Sequence, residues 1–208
     1  MAIADLALLG ATGFTGSLTA DYLGEHLPPG SNWVIAGRNK TKLKAIAERI
    51  EVNGGIRPQI LEADVDDELS MAALAAQTRV LITTVGPYVK HGEAAVKACA
   101  EAGIAYVDLT GEPEFVDTMW LKYNDVAEKS GARIVHACGF DSIPDDLGVL
   151  YTVEQLPEGV PISVKGYIRA GGGPSGGTYH SAIGAFSRVR QAGKTAAEAM
   201  DAAMFDTV

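Results

Sequence analysis

Short apolar runs alternate with amphipathic segments from the start of the chain to about residue 155. Most of the runs are short and several are rich in Val, Ile and Leu, as expected of strands buried on both faces of a sheet; they cover residues 3–9, 33–37, 59–63, 80–84, 105–109 and 133–137. Between them, apolar residues recur three or four positions apart, the spacing of an amphipathic helix, in residues 17–27, 41–50, 67–77, 92–102 and 114–129. The alternation predicts an α/β fold built on a doubly wound parallel sheet.

The pattern changes after residue 155. A linker rich in proline and glycine covers residues 156–161, and an alternating strand is predicted over 162–170. A glycine-rich loop follows at 171–177, and helices are predicted over 180–192 and 196–205. Because one strand and two helices cannot enclose a core, we expect a first domain over residues 1–155 and an incomplete second α+β domain over 156–208. We interpret the latter as the start of a truncated substrate or dimerisation domain, with a homodimer forming through this C-terminal segment.

The turn after the first strand carries the strongest candidate chemistry. Glycines at positions 10, 13 and 16 lie between a strand and a helix, which is the setting of a dinucleotide-binding turn. Glycine lets the backbone approach a pyrophosphate closely, and the free N–H groups of the helix start point at its oxygens. The predicted contacts are Gly10, Thr12, Gly13, Phe14, Thr15 and Gly16. The alternative is a glycine-rich turn that only joins a strand to a helix.

A basic residue follows the second strand. The tip of this strand normally faces the adenosine ribose, where an acidic residue favours NAD. Here it carries Arg38, whose guanidinium can bind a 2′-phosphate through two parallel hydrogen bonds. We therefore predict NADP(H) as the cofactor. Alternatively, Arg38 belongs with Lys40 and Lys42 to a solvated basic patch that opens the next helix.

Further candidates lie where the other strands end. Asp64 follows the third strand, where it can bond the adenine amino group, whereas Asp66 is predicted to cap the next helix. After the fourth strand, Gly86 allows close approach of a cofactor and Pro87 fixes the turn, next to Val85.

Acidic residues follow the sixth strand, where a further helix is predicted to begin. Some of them are explained by that helix start and one is not. Ser142 and Asp145 fit a capping box around that start, with Asp146 complementing the helix dipole. Asp141 is not explained by the cap and is a candidate site residue.

Three side chains have two interpretations each. Tyr88 either donates its hydroxyl to a substrate or packs in the core, and Glu112 either serves the site or starts a helix. His136 lies late in an apolar strand, and we interpret it as a core histidine rather than a base.

Composition excludes several classes of function. The net charge of −9 argues against a nucleic-acid surface. No apolar run is long enough for a membrane span, and no His, Cys and Asp spacing indicates a metal site. The two cysteines, Cys99 and Cys138, lack paired spacing, and the N-terminus shows no cleavage signal, so we expect a reduced, cytoplasmic protein.

Several motifs together resemble the saccharopine dehydrogenase-like oxidoreductases, which include the bacterial trans-acting enoyl reductases. The matching stretches are GATGFTG (10–16), AGR (36–38), VGPY (85–88), ACAEAG (98–103), YVDLTGE (106–112), CGFDSIPDDLG (138–148) and, more weakly, GGTYHS (176–181). The resemblance implies an N-terminal Rossmann domain, a C-terminal substrate domain and a longer chain. It also implies that residues 85–88 lie along the nicotinamide.

The function predicted from these observations is an NADP(H)-dependent oxidoreductase that transfers hydride to an enoyl group, free or lipid-linked, or to an imine. The candidate catalytic residues are Tyr88, Asp141 and His180. The alternative is a dinucleotide-binding protein without turnover that acts as a redox sensor or partner protein.

Overall fold

A computed structural model describes residues 4–169 and 171 of the chain. The described part is an α/β fold whose six strands are all parallel. The strands are β1 (Leu6–Leu9), β2 (Trp33–Gly37), β3 (Gln59–Glu62), β4 (Val80–Thr83), β5 (Ala105–Val107) and β6 (Arg133–Val135). The helices are α1 (Phe14–His26), α2 (Lys40–Val52), α3 (Glu68–Ala75), α4 (Tyr88–His91), α5 (Glu93–Ala102), α6 (Pro113–Ser130) and α7 (Ile143–Val153).

The strand order is β3-β2-β1-β4-β5-β6, so the chain reverses its direction of growth between β1 and β4. The predicted doubly wound sheet of the Rossmann type is therefore confirmed. In such sheets ligands bind outside the carboxyl ends of the strands, at the point where the order reverses. The turns after β1 and β4 meet at that point.

Alternate residues of the strands pack on opposite faces of the sheet, as the period of two in an extended chain requires. Leu8 and Ile35 join one core cluster with helices α1 and α2. Their sequence neighbours Leu9 and Val34 point to the opposite face and belong to the other cluster. There they pack with residues of helices α3 to α6, including Met71, Val96, Cys99, Phe115 and Met119. Both faces are covered, which explains why the strand sequences are nearly continuous apolar runs.

Four of the predicted strands end earlier in the structure than in the sequence prediction: β3 and β4 by one residue, and β5 and β6 by two. β5 ends at Val107 and β6 at Val135, so residues 108–109 and 136–137 lie beyond the ladder. In addition, a separate short helix, α4, precedes the helix predicted at 92–102. These departures place polar side chains at the carboxyl edge of the sheet rather than within it.

The strand predicted over residues 162–170 was wrong for its described part. Residues 161–169 form no regular structure and are exposed. An isolated strand leaves its N–H and C=O groups without a ladder partner, so alternation alone does not create one. The predicted helices over 180–192 and 196–205 lie outside the described residues, and the division at residue 155 stays a prediction.

Candidate functional site

The glycine turn closes tightly against the end of β4. Gly10 has a φ of +92°, and a Cβ built on it would lie 2.7 Å from Cγ2 of Val85 and 2.8 Å from Oγ1 of Thr84. A Cβ on Gly16 would overlap the carbonyl oxygen of Gly10. Glycine is therefore needed at both positions, because helix α1 packs directly onto the turn.

Gly13 has a different role, since a Cβ there would contact only the Gly10 carbonyl oxygen, at 3.4 Å. It is the N-cap of α1, and neither a side-chain hydrogen bond nor an acidic side chain in the first turn neutralises that helix end. Phe14 and Thr15 are the first residues of the helix, so their predicted contribution is their backbone N–H groups. The free N–H groups and the positive end of the helix dipole at the start of α1 can therefore bind an anion.

A cleft opens above this turn at the carboxyl edge of the sheet. Its lining comes from the ends of four strands, β1 to β4: Leu9, Gly10, Thr12, Gly13, Gly37, Arg38, Ala63, Val65, Thr84, Val85 and Gly86. The predicted phosphate loop, the basic residue and the segment after β4 are therefore brought together in one place.

Arg38 stands at the side of the cleft next to β2. Its side chain is 70% exposed, and its Nη1 lies 4.0 Å from Oδ2 of Asp66, too far for more than a weak attraction. Lys40 and Lys42 begin helix α2, where Asn39 caps the helix by accepting from the Lys42 N–H at 2.9 Å. The guanidinium is thus available to a phosphate group, whereas neither lysine lines the cleft.

A second cleft adjoins the first beyond β3. It is lined by Arg38, Glu62, Ala63, Asp64, Asp67 and Ser70. Asp64 accepts a hydrogen bond from the Asp66 N–H at 3.1 Å, and its proposed contact with the adenine stays a prediction.

The prediction that Asp66 caps the following helix was wrong. Asp67 is the N-cap of α3 and accepts from the N–H groups of Leu69 and Ser70. Asp66 instead lies 2.8 Å from Nδ1 of His91, at the end of α4. The tertiary fold brings these two residues together across 25 positions of sequence.

The segment after β4 enters α4 through Pro87, whose bond to Gly86 is cis. The Tyr88 side chain turns into the core, with 5% of the residue exposed. Its hydroxyl donates to the Thr83 carbonyl at 3.0 Å and accepts from the Leu109 N–H at 3.4 Å. Burial raises the pKa of this phenol well above its ordinary value. These bonds fit the packing interpretation, and the role of Tyr88 as a substrate donor stays a prediction.

The side chain of Glu112 binds the backbone at the start of α4. Its carboxylate is buried and accepts the N–H groups of Tyr88 at 2.8 Å and Val89 at 3.3 Å. The residue is itself the N-cap of α6, so a helix-start position was expected correctly, but its side chain serves a different helix. The carboxylate fixes the segment that borders the cleft.

A polar cluster lies where β5 and β6 end. Asp108 is buried, and its Oδ2 lies within hydrogen-bond distance of Nδ1 of His136, at 2.6 Å. The Tyr106 hydroxyl donates to the same oxygen at 2.9 Å, while the N–H groups of Thr110 and Ala137 donate to Oδ1, both at 3.0 Å. His136 is thus a partly buried histidine paired with a carboxylate. The neighbouring positions of β5 and β6 could have indicated this pair, since both residues come directly after a strand's last apolar position.

The remaining candidates follow the sixth strand in the sequence. Asp141 is exposed in the turn before α7 and stays a candidate site residue. Ser142 is the N-cap of α7 but makes no side-chain cap bond, so the predicted capping box is not formed, although Asp145 and Asp146 lie in the first turn. His180 lies outside the described residues.

Three further observations concern the described residues only. No cluster of three or more His, Cys, Asp or Glu side chains there is arranged to hold a metal ion. None of the helices in this part has both the length and the apolar character that a membrane crossing requires. Burial raises the pKa of the Cys99 thiol to about 12. Burial and, secondarily, the charge of Asp108 also raise the pKa of Cys138.

Known proteins are similar to this chain in sequence, and a solved structure is similar in fold. The chain is 46% identical over 145 residues to a Mycobacterium tuberculosis protein provisionally named as a trans-acting enoyl reductase, covering 70% of this chain and 34% of that protein. It is 35% identical over 201 residues to the saccharopine dehydrogenase-like oxidoreductase of Bos taurus, covering 87% and 46%. The chain therefore spans less than half the length of these relatives.

A solved structure is similar in fold alone. It is the apo saccharopine dehydrogenase (L-Glu forming) of Saccharomyces cerevisiae, with a TM-score of 0.54 and 18% identity over 73% of this chain and 31% of that one.

The predicted cytoplasmic location was wrong. A relative from Arabidopsis thaliana, 38% identical over 199 residues, is provisionally named as mitochondrial, and one from Caenorhabditis elegans, 37% identical over 188 residues, is named a lipid droplet localized protein. These matches cover 86% of this chain and 42% and 44% of the relatives. Reduced cysteines are compatible with several compartments, so they did not identify one.

The family model of the saccharopine dehydrogenase NADP binding domain matches residues 6–135, from β1 to the end of β6. The match contains the glycine turn, Arg38, the segment after β4 and the carboxylates of residues 108 and 112. The chain therefore belongs to the NADP-binding family of saccharopine dehydrogenase-like oxidoreductases, and its cofactor is NADP(H).

Proposed function

We propose that this chain forms the cofactor-binding part of an NADPH-dependent reductase whose substrate is an enoyl group, free or lipid-linked, or an imine. When bound, the cofactor supplies a hydride from its nicotinamide ring. The residues of the chain bind and orient the two reactants and stabilise the charge that develops on the substrate.

The observation that carries the proposal is the order of chemical groups along the carboxyl edge of the sheet. Arg38 follows β2, the glycine turn follows β1, and Val85 and Gly86 follow β4. These positions match a 2′-phosphate, a pyrophosphate and the adjoining ribose in sequence. The nicotinamide end then extends toward β5 and β6.

Polar groups are concentrated at that far end of the edge. Asp108 and His136 lie just beyond β5 and β6, and Asp141 follows in the next turn. Reduction of a conjugated or imine double bond needs a proton as well as a hydride, so titratable groups here fit a reductase. The names of the relatives, which include a trans-acting enoyl reductase and a lipid droplet localized protein, favour a substrate with an acyl chain.

The test has a binding step and a turnover step. We expect the chain to enhance NADPH fluorescence saturably, with at least tenfold weaker binding of NADH. NADPH absorbance should then fall when a medium-chain α,β-unsaturated thioester of N-acetylcysteamine, or a cyclic imine carboxylate, is added. Tight binding without oxidation by either probe would instead support a non-catalytic sensor, and equal binding of both cofactors would contradict the role of Arg38.

A further inference from the structure

The pair formed by Asp108 and His136 has a defined protonation pattern. Besides His136, three donors face the carboxylate of Asp108, namely two backbone N–H groups and the Tyr106 hydroxyl, and such surroundings favour a carboxylate that acts only as an acceptor. The proton of the His136–Asp108 bond therefore belongs to Nδ1. In the neutral ring Nε2 is then a free lone pair, and in the charged ring it is an N–H donor.

The second ring nitrogen of His136, Nε2, makes no hydrogen bond within the described residues. Within residues 4–169, Nε2 has no hydrogen-bond partner, and no buried nitrogen or oxygen there lacks one, so Nε2 must reach solvent. The side chain as a whole is only 13% exposed. The ring is held edge-on by Phe115 at 5.3 Å and Tyr106 at 5.7 Å between centroids. The carboxylate and the two aromatic rings thus fix a ring whose Nε2 makes no hydrogen bond within the described residues.

The backbone next to His136 is also unusual. Ala137 has a φ of +56° and is the one non-glycine residue with a positive φ in the described part of the chain. Its N–H donates to Asp108, so the conformation is maintained by the same carboxylate that orients the ring. Such a conformation costs about 1 kcal/mol or more and is found often where a side chain must be positioned.

We infer that His136 is the catalytic proton donor of the proposed reductase and that Asp108 is its positioning residue. The inference rests on the proposed function. The substrate double bond gains a hydride with its electron pair from NADPH at one atom and a proton from Nε2 at the other. NADP⁺ and a neutral imidazole remain, and the imidazole regains its proton from water.

The groups that face His136 come from several elements. Asp108 faces it from the end of β5 and contributes a negative charge, and Phe115 faces it from α6 without charge. Burial raises the pKa of Tyr106, and burial followed by the charge of Asp108 raises the pKa of Cys138. Both side chains therefore stay protonated at neutral pH.

The kinetic experiment compares the full chain with His136→Asn and with His26→Asn, an exposed histidine at the end of α1 that serves as the matched control. With the unsaturated thioester probe, we expect kcat of His136→Asn to fall about 100-fold or more, while the Kd of NADPH changes less than about twofold. Because a proton donor must be protonated, the kcat of the wild type should decline as pH rises, and this decline should be absent from His136→Asn. If the Asn variant fails to bind NADPH, His136→Gln replaces it.

A second measurement, independent of turnover, is the ring tautomer observed by nitrogen NMR. In the neutral ring of His136 the proton should reside on Nδ1, and Asp108→Asn should move it to Nε2, because an amide can donate to Nδ1. A wild-type proton on Nε2 overturns the inference, as does an unchanged kcat in His136→Asn. If the wild type binds NADPH but reduces neither the thioester nor the imine, the proposed reduction fails and the proton donor fails with it.

Discussion

At the scale of single residues, we predict that the cofactor preference depends on the exposed guanidinium of Arg38. We expect Arg38→Ala to weaken NADPH binding by ten- to a hundredfold, because charge-assisted hydrogen bonds to a phosphate contribute about 1.5–3 kcal/mol. NADH binding should change less than about threefold. Parallel fluorescence titrations measure both affinities.

Lys44→Ala is the matched control for Arg38→Ala. It removes an equal charge from the exposed side of α2, away from the cleft, and should leave both affinities unchanged. A wild-type preference for NADPH in Arg38→Ala would show that another group recognises the phosphate.

Two glycines of the same turn should separate folding from binding. Gly16→Ala places a methyl group against the Gly10 carbonyl and 2.7 Å from Thr84 Oγ1, so we expect it to lower the free energy of unfolding by about 1–3 kcal/mol. Gly13→Ala meets only one atom at 3.4 Å, so its stability should change by less than about 1 kcal/mol.

The same Gly13→Ala methyl group would occupy space over the cleft, so NADPH binding should weaken at least tenfold. Urea unfolding and fluorescence titration of each variant provide the two measurements. Unimpaired binding by Gly13→Ala would mean that the pyrophosphate does not approach this part of the turn.

At the scale of secondary-structure elements, Glu112 connects α6 to α4. We expect Glu112→Ala to cost about 2–4 kcal/mol of unfolding free energy, because it leaves two backbone N–H groups without their acceptor. Glu112→Gln keeps an acceptor oxygen and should cost less. Hydrogen exchange at the amides of Tyr88 and Val89 should accelerate in both variants.

An exposed residue of the same helix provides the control for this prediction. Glu128→Ala, near the end of α6, should change neither stability nor exchange measurably. Unaltered exchange at Tyr88 in Glu112→Ala would show that α4 is held by packing alone.

At the scale of the whole molecule, the buried thiol of Cys99 makes stability depend on pH. Its folded-state pKa is about 12, above the ordinary value of 9.0. Below the ordinary value the thiol is protonated in both states and its contribution is complete. As pH rises further, the unfolded chain ionises first, so stability falls by about 1.4 kcal/mol per pH unit until the folded-state pKa is reached.

Cys99→Ala removes this titration, whereas its cavity costs the same at every pH. The stability difference between wild type and variant should therefore shrink by about 2 kcal/mol between about pH 8 and pH 10.5. Urea unfolding at both pH values measures it, and Cys138→Ala, which removes a partly buried thiol, should show a smaller change. A difference that stays constant with pH would mean that Cys99 ionises equally in the two states.

The sequence by itself determined the elements and their class. Apolar periodicity and glycine spacing are short-range properties, and they predicted all six strands, the parallel sheet and a glycine turn that shares a cleft with Arg38. Cofactor and family followed from these stretches because each is contiguous in the chain. Periodicity failed in residues 162–169, which pair with no strand in the part of the chain that the structure describes, since a strand requires a neighbour.

The tertiary structure decided which side chains meet. The pair of His136 with Asp108 spans 28 positions, that of Glu112 with Tyr88 spans 24, and that of His91 with Asp66 spans 25. Each depends on which strands are neighbours and on where a strand ends, within one residue. Successive side chains along a strand point to opposite faces of the sheet, so a one-residue change in register would bring different side chains together. Local sequence patterns do not define strand registers and ends so closely.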